Sequence, residues 1–255
     1  GPGPLALAAR HLGAHEVMAA DRSKPALALA ERLAASVRSP MSSREWNPLD
    51  GSNLPGAGSG FTHVVMGHVL NELWGDATDR IERLERVRKG GALVVVEPAL
   101  RDTTRDLLAV RDVLVRRGYA VRAPCLFRGD CPALTRDVDW CHAERAWTPP
   151  RLFGRIVNAA GLRKELLQMA YLVVSPRGEA WPEPPPGRVF RVVSEPLEGK
   201  KRLRVMGCGP EGRVPLSLTD ANRNEGNEAF ATAARGDVLR LDGAEAAEEG
   251  DGVGI

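Results

Sequence analysis

The chain predicts an α/β fold: a parallel, doubly wound sheet followed by a small antiparallel β unit. Three observations predict it. Helix-period and strand-period segments alternate through residues 1–175. A stretch from Pro176 to Gly187 holding five prolines then breaks the pattern. Beyond that stretch the apolar runs are strand-like, with no further helical period.

Taken in order, Gly1-Pro2-Gly3 opens into an Ala/Leu-rich helix from Leu5 to His11 that ends near Gly13. Val17 to Asp21 is a short strand. Ser23 caps a helix through Arg38, whose Ala26, Leu29, Ala30, Leu33 and Val37 keep the helical period. Residues 39–60, rich in Ser, Pro and Gly, read as irregular structure. Phe61 to Met66 is a strand leading into the segment His68 to Leu73. Asp76 caps a helix from Ala77 to Lys89, stopped by Gly90-Gly91.

Ala92 to Glu97 is a continuous apolar run, as in a strand buried on both faces. A helix from about Thr104 to Arg117 ends at Gly118, and a cysteine-rich segment, 122–145, follows. Pro149-Pro150 precedes a helix ending at Gly161, and Leu166 to Val174 is the last strand before the prolines. After them come strands at Arg188–Val193, Arg202–Gly207, Arg213–Leu218 and Val238–Leu241. Gly209-Pro210-Glu211-Gly212 turns the middle pair into a hairpin. The expected organisation is thus a domain over 1–175, a linker over 176–187, a small β domain over 188–241 and a disordered acidic tail over 242–255.

Composition bounds the function. A 255-residue chain with 43% hydrophobic and 27% charged residues builds one substantial core and a small accessory unit. No apolar run approaches a membrane span, and no charged-then-apolar leader opens the sequence. A membrane partner is therefore not expected, and a reducing compartment without disulfides is. The net charge is +2, but residues 241–255 hold five acids and no base, which leaves residues 1–240 at +7. Arg116-Arg117, Arg188, Arg191, Lys200-Lys201-Arg202 and Arg204 lie in short groups. Such groups suit a phosphate-contacting face, and equally a solvated surface.

Three of the four cysteines, Cys125, Cys131 and Cys141, fall within seventeen residues, and Cys208 lies far downstream in Met206-Gly207-Cys208-Gly209-Pro210. The Pro and Gly flanks place each thiol on a turn, where backbone N–H groups are free to bond sulfur. If the four converge they form an S4 site with no open position, suited to structural zinc or an iron–sulfur cluster. His142 offers a competing Cys3His zinc set. The spacings match no standard ribbon or ferredoxin pattern, so inert buried thiols remain an equal reading.

Gly1-Pro2-Gly3 before a helix, with Asp21 closing the next strand, matches the end of a nucleotide-binding fingerprint. Glycines admit a ligand close to the backbone, and an acid some twenty residues on holds ribose hydroxyls. The order of motifs is more specific: the glycine loop, Asp21-Arg22-Ser23, His68-Val69-Leu70-Asn71-Glu72-Leu73 and Val96-Glu97-Pro98. Ala123-Pro124-Cys125, Cys131-Pro132, Trp140-Cys141-His142 and Cys208-Gly209-Pro210-Glu211-Gly212 follow. This series resembles the methyltransferase-like family of small-ribosomal-subunit assembly factors of mitochondria and bacteria, over about residues 1–241.

The resemblance implies a Rossmann-like class I methyltransferase sheet whose first strand is missing. It implies a 4Fe–4S cluster on Cys125, Cys131, Cys141 and Cys208, tying the methyltransferase-like domain to the C-terminal sheet. It implies S-adenosylmethionine at Gly1 and Gly3, with Asp21 on the ribose and His68 and Asn71 toward the methyl donor. The implied partner is small-subunit rRNA and its assembling particle, bound by a monomer. The implied compartment is the cytoplasm in a bacterium or the mitochondrial matrix in a eukaryote.

Two features depart from the family. The strand before the glycine loop and the helical region upstream are absent, so the chain is expected to be a fragment with two sheet neighbours unpaired. Cys125-Leu126-Phe127 stands where the family has Cys-Pro-His. No Asp/Asn-Pro-Pro-aromatic loop follows the 61–66 strand, and no free Pro-Cys nucleophile is present, so no catalytic residue is assigned. A methyltransferase acting on rRNA, a non-catalytic rRNA-binding assembly factor with a structural cluster, and a zinc-stabilised Rossmann-like enzyme are the readings in competition.

Overall fold

Gly3 opens the regular structure in the computed structural model of the chain. Its φ of 77° lies in the left-handed region, and an added Cβ would meet the Ala30 Cβ at 3.0 Å. The structure describes residues 1–50, 61–73, 75–80, 91–162, 166–182 and 185–242, and the backbone of 245–246 and 253–254. They form two compact units, 1–95 and 96–255.

In the first unit, Gly3 leads into α1 (Pro4–His11), followed by β1 (Met18–Asp21) and α2 (Lys24–Ser36). Ser23 caps α2, its Oγ accepting from Ala26 N at 3.3 Å, and Leu27, Ala30 and Ala34 form the buried stripe. The chain returns to β2 (Ser42–Glu45), paired parallel to β1 with Met18 opposite Ser42 and Asp21 opposite Glu45. This β-α-β unit corrects the expectation of irregular structure over 39–60 at residues 42–45; residues 51–60 of that stretch lie outside the described residues. Ser42-Ser43-Arg44-Glu45 has no apolar alternation; backbone bonds from Ser42 N to Val17 O and Trp46 N to Asp21 O hold it.

β3 (His63–Gly67) follows and neighbours β4 (Ala92–Pro98), where Ala92 N donates to Thr62 O at 2.8 Å. Among the described residues β1 has β2 as its one neighbour and β3 has β4, so each presents an open edge. The expected helix from Ala77 begins as anticipated, with Asp76 Oδ1 accepting from Thr78 N and Asp79 N. Its course through 81–89, and the Gly90 of its stop, lie outside the described residues.

The second unit opens with α3 (Arg101–Arg116), β5 (Tyr119–Ala123), β6 (Ala143–Ala146), α4 (Arg151–Ala159) and β7 (Leu166–Pro176). β5 and β6 both pair antiparallel to β7. The α/β class is the one expected, but these pairings are antiparallel where a parallel sheet is predicted. Hydrophobic period reveals a strand and not its direction.

The rest of the unit is β8 (Val189–Val192), β9 (Leu197–Gly199), β10 (Arg202–Gly209), β11 (Gly212–Thr219), α5 (Glu228–Ala231) and β12 (Val238–Arg240). The antiparallel order β12-β8-β10-β11 includes the expected hairpin, with Gly209 opposite Gly212. β10 alternates strictly: Leu203 and Val205 face a core with Phe190, Leu216, Leu218 and Phe230, while Arg202, Arg204, Met206 and Cys208 take the other face. In the acidic tail, Val253–Gly254 pairs parallel to β11 and Glu245–Ala246 pairs with it in turn. Among the described residues no helix is long and apolar enough to cross a membrane.

Candidate functional site

Two groups of chemically active residues emerge, one in each unit. In the first, Asp21 closes β1 and its carboxylate meets the Gly1 amino group, while Oδ1 accepts from Ser23 N at 2.7 Å. Leu5 of α1 packs on Gly67 at the end of β3; an added Cβ there would stand 2.6 Å from Leu5 Cδ1. Arg22 reaches Glu72 at 3.5 Å. Gly1, Gly3 and Asp21 therefore lie together, with the turn that carries His68 and Asn71 beside them. His68 has a φ of 56°, and both it and Asn71 are exposed.

The second group is built on α3. That helix places Arg111 and Asp112 on its buried face with Leu107, Leu108 and Leu114. Arg111 donates to Gly129 O and Phe127 O, both at 2.7 Å, and pairs with Asp112. Asp112 accepts the Cys131 N–H on both oxygens, at 3.1 and 2.9 Å. Cys131 packs with Leu108 and Ala133, and Cys141 lies against them. Cys208 arrives from β10, where strand register flanks it with Arg191 on β8 and Arg213 on β11. Arg191 Nη1 lies 4.0 Å from Cys141 Sγ. A cavity of about 20 Å³ is lined by Cys125, Cys141, Arg111, Arg191 and His142.

The charges of this second group are in tension. Burial, and then repulsion from Cys125, push the Cys131 thiol up to about 12; burial, then Cys125 and Cys141, push Cys208 to about 12. Burial also raises Cys125, against the pull of Arg111. Arg111 stays firmly charged although burial disfavours it, because Cys125 and Asp112 favour the cation. Arg191 is only 6% exposed, and the one hydrogen bond found for its side chain among the described residues goes to a cysteine sulfur. Neutral thiols would leave that guanidinium buried without an anion, which is costly. A soft cation among the sulfurs would resolve both demands by making thiolates that the arginines then balance.

The donor chemistry thus fits a soft-metal centre. The sulfurs are gathered without being caged: among the described residues no three His, Cys, Asp or Glu side chains stand in metal-binding arrangement. His142 is buried with Nδ1 unbonded, stacks on Trp140 at 4.3 Å and meets Glu144 through Nε2 at 2.7 Å. Gln168 and Arg235 also converge on Glu144, at 2.8 and 3.5 Å.

All four expected cysteines share one neighbourhood, and Gly1, Gly3 and Asp21 share another. The expected site set does not include Arg111, Asp112, Arg213 or Glu144, and Arg191 enters the sequence expectations only as part of a basic surface. Two of these carry a signal in the sequence. Arg111 interrupts the apolar stripe Leu107-Leu114 at helical spacing, and Arg191 interrupts the run Val189-Phe190-Val192-Val193. A charge inside an apolar stripe marks a buried, partnered ion.

These features define an α/β protein with a glycine turn before its first helix and four free cysteines in one neighbourhood, Cys131 buried and the other three half-buried. The chain belongs to the Mitochondrial small ribosomal subunit Rsm22 family, which matches residues 1–240. No protein of curated function matches it. Among solved structures it is similar to a SAM-dependent methyltransferase from Geobacter sulfurreducens in complex with S-adenosyl-L-homocysteine. There the identity is 17% and the TM-score 0.40, over 69% of this chain and 82% of that one. A protein from the conversion of a disulfide bond into a thioacetal group during echinomycin biosynthesis is 15% identical at TM-score 0.42, over 70% and 74%. Geranyl diphosphate methyltransferase in complex with SAM is 13% identical at TM-score 0.36, over 67% and 72%. Likeness at this level carries no argument about chemistry.

Proposed function

We propose that this chain is an S-adenosylmethionine-binding, methyltransferase-like protein of small-ribosomal-subunit assembly and translation, carrying a 4Fe–4S cluster on Cys125, Cys131, Cys141 and Cys208. The observation that carries the reading is family membership over residues 1–240, which includes the glycine loop and all four cysteines. The buried Arg191 beside Cys141 supports an anionic centre. Four thiolates on a 2+ cluster sum to about −2; Arg191 would offset part of that, while Arg111 is already paired with Asp112. Gly1 and Gly3 would let the cofactor approach the backbone, Asp21 would take its ribose hydroxyls, and His68 and Asn71 would border the methyl donor. Lys200 and Lys201, exposed beside β10, supply charge for rRNA phosphates. The compartment follows the source: mitochondrial matrix in a eukaryote, cytoplasm in a bacterium.

Assembly without methyl transfer is a second reading, favoured by the exposure of both His68 and Asn71, which gives no desolvated base beside the donor. Titration with S-adenosylmethionine and small-subunit rRNA tests the proposal. Binding of both, with rRNA affinity falling steeply as salt rises, supports it. No cofactor binding sinks the methyltransferase-like part, and salt-independent or absent rRNA binding sinks the ribosomal part. Methyl transfer to that rRNA would exclude the second reading.

A further inference from the structure

The backbone of the cysteine segment is held from one side by α3, and the holding groups divide into two sets. Arg111 and Asp112 take the first half: Arg111 donates to Phe127 O and Gly129 O at 2.7 Å each, and Asp112 accepts Cys131 N at 2.9 and 3.1 Å. Arg105 takes the second half, donating through Nη1 to Ala133 O, Arg136 O and Asp139 O at 3.1, 2.8 and 2.6 Å. These contacts are to backbone groups, so they fix the path of the loop whatever its sulfurs hold. Arg111 is 1% exposed, and the rigid fork of a guanidinium is what lets one side chain reach two carbonyls and a carboxylate at once.

We propose that α3 preforms the backbone path of the cysteine loop, with Arg111 and Asp112 as positioning residues for 127–131 and Arg105 for 133–139, while the sulfurs themselves close in only on binding. The loop backbone would then be in place before any metal bound, unlike sites that the ion itself folds. Preorganisation spares the binding step the entropy of ordering the loop. What enters rests on the cluster reading above; the clamp does not.

Hydrogen exchange on the full chain, stripped of metal by a chelator without oxygen, tests this. The expected result is protection of the Cys131, Leu134 and Asp139 amides in the metal-free protein. Arg111→Lys keeps the charge but loses the fork, and speeds exchange at Cys131 by roughly tenfold or more while Leu134 and Asp139 hold. Arg105→Lys does the reverse. Asp112→Asn, which keeps shape and loses charge, gives the same local effect at Cys131 should Arg111→Lys not fold. Free exchange across the whole segment in the metal-free parent overturns the proposal, as does equal loosening of both halves by either variant. Metal content of the protein before stripping is read separately. A chain that never held metal defeats the cluster reading, and the exchange pattern still decides the clamp.

Discussion

Burying Arg191 among sulfurs costs several kcal/mol of desolvation unless an anion meets it. That asymmetry gives a test at the scale of one residue. Arg191→Met should leave the metal-free chain equally or more stable, by up to about 4 kcal/mol in chemical denaturation. The same variant should lose bound iron faster than the parent, because the loaded centre then lacks a balancing charge. Destabilisation of the metal-free form would contradict this use of Arg191. The thiols give a second test. A thiol is neutral when protonated, so a raised pKa favours the protonated folded form. Unfolded cysteines ionise near 9.0 while Cys131 and Cys208 keep their protons to about 12. Between those values the unfolded chain holds fewer protons, and stability falls as pH rises. Thermal melts of the metal-free chain should show that loss from pH about 9 upward, and a flat profile would contradict it.

Elements with a strong apolar period were legible before the structure, and those held by backbone pairing were not. α2 was recognisable from Ser23 and its helical period, although the face it buries is Leu27, Ala30 and Ala34 and the expected Leu29, Leu33 and Val37 are exposed. β4 was recognisable from its unbroken apolar run, and the β10–β11 hairpin from its Gly-Pro-Glu-Gly turn. β2, β5, β6 and β9 were missed. β2 and β9 are short and largely exposed, and β6 is only half-buried, so no alternation betrays them. β5 runs straight from Gly118 into the cysteine segment, which masked it. The convergence of Cys208 with the other three cysteines was not derivable from spacing, since strand register sets it. The hairpin also supplies a stability test. Leu216 is fully buried against Phe190 and Leu218. Leu216→Ala should cost about 2–5 kcal/mol and lower the melting temperature of the second unit; a change within experimental error would mean that this core does not hold the β unit.

At the scale of the molecule, the glycine loop lies in residues 1–95 and the cysteine centre in residues 96–255. The two chemistries should therefore separate by mutation. Asp21→Ala should weaken S-adenosylmethionine binding by about tenfold or more through lost ribose hydrogen bonds, with iron content unchanged. Cys131→Ser should do the opposite, and loss of both properties in either variant would contradict the separation. If assembly depends on the cluster rather than on methyl transfer, small-subunit maturation fails with Cys131→Ser and survives Asp21→Ala.

Iron, zinc and acid-labile sulfide content, with a visible spectrum, on protein purified without oxygen is the most direct test of the four-cysteine centre. The expected result is about four iron and four sulfide per chain, with a brown colour lost in Cys131→Ser. Zinc alone, or four cysteines without metal, would contradict it.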